Sequence, residues 1–264
     1  MEQAVECSGM SDQEPQLLKA VLDAPDDDAP RLAYADWCAQ QPDEPARARA
    51  EFIRAQIRVF QPDFDSLDRG EKYEITSRAN KLLAANRQAW AGPLADLVDD
   101  YGYQRGFIFW VATTASRFLA DAELLFALAP IVHADISGVR DVDERFFASR
   151  YLQRLRSLRM DDCGLYDIHL QILADSPNFA GLRWLSVSNN HLGMKGAEAL
   201  AASKRLPSLG FVEFGGNPTD PTEQVGMESG VILASYFPPE GRDLEARYGT
   251  LPWLHRDEIA SRFA

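Results

Sequence analysis

The sequence predicts an α/β fold in which short parallel strands, backed by helices, stack as a repeat solenoid behind an α-helical N-terminal region. Three observations predict it. One apolar motif recurs every 27 residues through the middle of the chain. Helical spacing without strand-like alternation fills most of the first hundred residues, and the strand-like segments begin only after that point.

Residues 1–12 show no periodicity and are expected to form a disordered extension, with Met10 an alternative start. Residues 13–100 read as all-α. Pro15–Leu22 places Leu17, Leu18, Val21 and Leu22 on a first helix. Asp26-Asp27-Asp28 before Ala29-Pro30 supplies an acidic N-cap and an early proline for a second helix, reaching about Gln40. Glu44–Phe60 is a third, with Phe52, Ile53, Ile57 and Phe60 at helical spacing. After the polar stretch Gln61–Glu71, a fourth covers about Lys72–Trp90.

Residues 101–217 are the repeat region. Phe107–Val111 and Ile131–Ile136 are strand-like, and Leu128 with Ile131 marks a shorter, degenerate unit of the kind a solenoid end requires. Three segments then align: Leu155, Leu158, Met160 and Cys163; Leu182, Leu185, Val187 and Asn190; Leu209, Val212, Phe214 and Asn217. Each reads LxxLxLxxN or LxxLxLxxC, a leucine-rich-repeat core. Alternating apolar residues place one face of a short strand in the core. The closing Asn or Cys turns inward to satisfy backbone groups left unpaired as the chain leaves the strand. Gly196–Ala202 is the clearest intervening helix. Residues 218–264 abandon the period and read as a C-terminal cap: a strand-like Gly230–Tyr236, a short helix Arg242–Tyr248 ended by Gly249, and the anchors Leu251, Trp253 and Leu254.

Two resemblances follow. The segment Asn189–Leu200 (NNHLGMKGAEAL) resembles ribonuclease-inhibitor-like leucine-rich repeats, whose units have about this length. Leu22–Trp37 (LDAPDDDAPRLAYADW), followed by Ala50–Gln56 (AEFIRAQ), resembles the bacterial repeat-companion domain, a module of about 40 residues found beside repeats. The tail Gly241–Gly249 with Leu251–Leu254 is similar to endings seen in such proteins. The resemblance implies an architecture and carries no general biochemical activity.

Composition and motifs narrow the function. The 264 residues carry a net charge of −13, which opposes the basic surface that phosphate contacts need, so no nucleic-acid partner is expected. Cys7, Cys38 and Cys163 are scattered, giving neither a disulfide framework nor a zinc site. His133, His169, His191 and His255 lack HxxxH spacing, and Asp26–Asp28 lacks the alternating ligands of a calcium loop, so no metal is expected. No P-loop, GxGxxG or GxSxG element occurs, which argues against a nucleotide cofactor and against an enzyme. Gly215-Gly216-Asn217-Pro218 reads as a repeat turn, and Cys163 as a structural substitute for the repeat Asn. Arg31, Tyr34, Asp36 and Trp37 are read as structural, with Trp37 in the core. No apolar run reaches the roughly 18 residues of a membrane span, and the acidic N-terminus lacks a signal-peptide pattern. A cytoplasmic protein without membrane partners is the expectation.

The concave sheet face carries the functional expectation. The residues flanking the inner apolar positions point away from the core: Ser157, Arg159 and Asp161; Trp184, Ser186 and Ser188; Phe211, Glu213 and Gly215. Arg159, Asp161, Trp184, Ser186, Phe211 and Glu213 are the candidate partner-binding residues, since an exposed Trp beside Phe and Arg has hot-spot composition. The competing reading buries Trp184 and Phe211 under the cap. The expected role is binding a protein or peptide, in one form presenting it to a separate enzyme. Two alternatives stand beside it: an accessory subunit or enzyme whose helical module acts on a substrate held by the repeats, and an acidic immunity or regulatory protein.

Overall fold

The computed structural model describes residues 13–141, 143–219 and 239–254. The expected extension 1–12, the strand 230–236 and His255 lie outside the described residues. Within them the chain is mixed α/β, with six strands in one sheet ordered β1-β2-β3-β4-β5-β6. Two compact units divide it. Among the described residues, one comprises 13–97, 101–110 and 124–131; the other comprises 98–100, 111–123 and those from 132 onward.

The first unit opens with helices α1 (Gln13–Asp23), α2 (Asp28–Ala39) and α3 (Glu44–Val59). Asp27 caps α2, its carboxylate accepting from the Ala29 amide at 2.9 Å, and Asp43 caps α3 through the Ala46 amide at 2.8 Å. Helix α4 (Arg69–Ala91) begins earlier than apolar spacing indicates. Its start is a capping box: Asp68 accepts from Gly70 and Glu71 amides, while the Glu71 carboxylate accepts from the Asp68 amide. A single turn, α5 (Leu94–Leu97), follows.

Strands β1 (Asp100–Gln104) and β2 (Phe107–Thr114) meet at Arg105-Gly106, whose φ angles of 49° and 85° make a two-residue hairpin turn. Gly106 is required there twice over. Its φ is left-handed, and a Cβ would stand 2.4 Å from the Ile53 side chain. The core of this unit gathers Val21, Ala35, Cys38, Ala50, Ile53, Ile57 and Phe107. Arg31 is buried among them, donating from Nη2 to the Pro25 carbonyl at 2.8 Å with its guanidinium over the Phe107 ring. Trp37, expected in the core, is only half-buried at its edge.

The remaining elements are α6 (Ala115–Leu128), β3 (His133–Ser137), α7 (Asp143–Phe147), β4 (Ser157–Arg159), α8 (Asp167–Asp175), β5 (Trp184–Ser186), α9 (Met194–Ala202), β6 (Phe211–Glu213) and α10 (Pro239–Tyr248). Strands β3 to β6 pair in parallel. His133 aligns with Ser157, Ser157 with Trp184, and Trp184 with Phe211, so the step is 24 residues once and then 27 twice. The apolar motif positions are the core of the second unit: Leu158, Met160, Leu185, Val187, Val212 and Phe214 are wholly inaccessible.

Each 27-residue turn is closed in the same way. Asp162, Asn189 and Gly216 take left-handed backbone, with φ of 54°, 54° and 75°. Asp and Asn tolerate this region through local hydrogen bonding, and Gly at no steric cost. The next residue turns inward. Asn190 Oδ1 accepts from the Cys163 and Leu165 amides at 3.0 Å each, and its Nδ2 donates to the Met160, Val187 and Ser188 carbonyls. Asn217 repeats this toward the Asn190 and Leu192 amides. Cys163 stands in the same place, its Sγ 3.2 Å from the Ile136 carbonyl. At the C-terminal end Leu251, Trp253 and Leu254 are buried, with Trp253 against Phe214.

Candidate functional site

The parallel register lays two rows of side chains on the sheet face opposite the apolar motif. One row is His133, Ser157, Trp184 and Phe211; the next is Asp135, Arg159, Ser186 and Glu213. All six candidates from the sequence lie on this face, with Asp161 just beyond the end of β4.

In the first row the Trp184 and Phe211 rings are stacked, with centroids 5.9 Å apart and planes 4° from parallel. His133 meets the other side of the indole edge-on at 6.2 Å. The consequence corrects the expectation of an exposed tryptophan. Trp184 is only 9% accessible, while Phe211 is half-buried. Phe211 reaches the indole from the adjacent strand, about 4.8 Å away, and His133 from two strands away across the small Ser157 of β4. Ser186 is also fully buried.

The second row is an ionic one. Arg159 is exposed and its Nε donates to Asp161 Oδ2 at 2.5 Å; the other Asp161 oxygen accepts from the Ser186 hydroxyl and the Ser188 amide. The bond to Asp161 holds the Arg159 guanidinium above its ordinary pKa, with Asp135 and Glu213 adding to it from the flanking strands. His133 Nε2 lies 2.8 Å from Asp135 Oδ1.

At the β2–β4 end of the rows is a cavity of about 260 Å³ lined by Asp99, Thr113, Asp135, Arg159, Asp161 and Asp162, among others. Four carboxylates face it against one guanidinium. Asp99 is paired with Arg117 at 2.6 Å, and Asp162 is exposed. Sequence reading missed Asp99 and Asp135, because the strand β3 lies outside the 27-residue period. The signal was there: Asp135 sits 24 positions before Arg159, as Ile131 sits 24 before Leu155, whereas reading Leu128 and Ile131 as the LxxL pair gives 27.

Among the described residues no group of three or more His, Cys, Asp or Glu is arranged to hold a metal ion. No described helix is long and apolar enough to cross a membrane. Cys163 is buried, which pushes its thiol above the ordinary range and leaves little thiolate. No family model, curated protein or solved structure matches the chain.

Proposed function

We propose that the 27-residue units form a short leucine-rich-repeat solenoid, with the N-terminal helices as its companion module, and that the chain binds a polypeptide across the sheet face. In this reading the chain holds its partner and does no chemistry of its own. The observation that supports it most is the register. It sets a charged row, Asp135, Arg159 and Glu213, beside an aromatic row whose accessible member is Phe211.

The favoured partner is an extended segment bearing Lys or Arg. Arg159 is already engaged by Asp161, and four carboxylates against that one guanidinium leave the face anionic on balance. A partner cation entering the cavity beside Asp135 and Asp162 gains from several carboxylates at once, and an apolar side chain next to it covers Phe211.

A peptide array read with the purified chain tests this. Lys- and Arg-containing peptides with an adjacent apolar residue are expected to bind, and more weakly at high salt. Phe211→Ala and Glu213→Lys should each weaken binding about tenfold or more, roughly 1.4 kcal/mol, with the melting temperature unchanged in Glu213→Lys and lowered, short of unfolding, in Phe211→Ala, whose ring stacks on Trp184. Peptide selection that ignores both substitutions in folded protein would remove this face as the site.

A further inference from the structure

The first unit holds a second cavity, of about 420 Å³, walled by Tyr34, Trp37, Trp90 and Phe107 with Arg49 among its lining. Arg49 belongs to α3, and four rings surround its guanidinium: Trp90 at 4.9 Å, Phe107 at 5.1 Å, Tyr103 at 5.7 Å and Phe52 at 5.9 Å. The ring faces stabilise the cation but leave its directional donors unused. Nη1 is buried with no hydrogen-bond partner, and among the described residues Arg49 has no ion pair. Trp37 Nε1, on the same cavity, is likewise buried without an acceptor.

Arg49 as a whole is half-buried, but its enclosed Nη1 is costly, because the desolvation is offset by neither a hydrogen bond nor a counter-charge. Burial depresses the Arg49 pKa, and the ionisable groups acting on it are Tyr103, Tyr34 and Cys38. Burial raises all three above their ordinary values, so they are neutral at pH 7. Two carboxylates line the cavity, and both have other partners: Glu14 accepts from the Tyr34 hydroxyl at 2.8 Å and Asp43 caps α3. The cavity therefore combines flat apolar walls, an uncompensated cation and a spare indole N–H.

We propose that this cavity binds a small organic carboxylate with a flat apolar body, the carboxylate pairing with Arg49 and the body lying between the aromatic walls. A planar carboxylate matches the guanidinium fork, and the volume is within the range of small-molecule sites. It also gives Tyr34 and Trp37 of the DAPRLAYADW segment a use beyond packing.

The test is calorimetric titration of the full chain with 2-naphthoate, with 2-naphthamide and acetate as controls. Naphthoate should bind at least tenfold tighter than the neutral amide, and acetate should not bind measurably. Arg49→Gln should abolish the preference for acid over amide. Trp37→Phe, which keeps a ring and removes the N–H, should weaken naphthoate without affecting the amide. Should Arg49→Gln fail to fold, the acid–amide comparison on wild type and the Trp37→Phe titration decide alone. Equal binding of acid and amide, no binding of naphthoate, or full naphthoate affinity in Arg49→Gln would overturn the proposal.

Discussion

At the scale of the residue, Asn190 shows how one side chain does the work of several backbone partners. Its amide makes five hydrogen bonds in a buried turn, and truncation removes the side-chain acceptor of the Cys163 and Leu165 amides. Asn190→Ala is expected to cost about 1–3 kcal/mol, measured by urea denaturation; a wild-type midpoint would show that the turn repacks freely. Cys38 sets a different dependence. Burial pushes its thiol up to about 11 from an ordinary 9.0. The folded chain therefore keeps a proton that the unfolded chain releases, and the stability linked to it is complete below pH 9 and lost as the pH rises from 9 through 11. Denaturation midpoints at pH 8 and 10.5 should fall in the wild type and fall less in Cys38→Ala. Equal falls would assign the alkaline loss to other groups.

At the scale of the element, the repeat strands β4 to β6 were legible because their apolar positions alternate and recur, and the first helices because apolar residues fall at helical spacing, with Asp26–Asp28 announcing α2; β1 was not read as a strand. The start of α4 was less legible, since apolar spacing fades there and the signal is a polar one, Asp68 with Glu71. The accessible surface of the sheet was legible only in direction. Parity says that Trp184 points out of the core; it does not say that Phe211 and His133 will close over it. Two substitutions on β5 separate these layers. Leu185→Ala, inside, should cost about 2–5 kcal/mol, and Trp184→Ala about 3–5 kcal/mol, because the indole is nearly as buried as the leucine. Thermal melting of both variants checks this. A Trp184→Ala variant as stable as wild type would return the indole to the open surface.

At the scale of the whole molecule, the division into an all-helical beginning and a stranded remainder was readable from where the hydrophobic period changes. The two cavities were not. Each depends on residues brought together from distant stretches, Asp99 with Asp161 in one and Tyr34 with Trp90 in the other, and no local pattern records such meetings. The turn geometry has a consequence for the history and engineering of the chain. Since Asn217 serves Asn190 and Leu192 just as Asn190 serves Cys163 and Leu165, the junctions are interchangeable. Excising residues 164–190 would join Cys163 to His191 and hand its amide to Asn217, leaving a shorter protein with no orphaned turn. Gene duplication or loss in steps of 81 nucleotides would thus lengthen or trim the sheet without redesigning any joint.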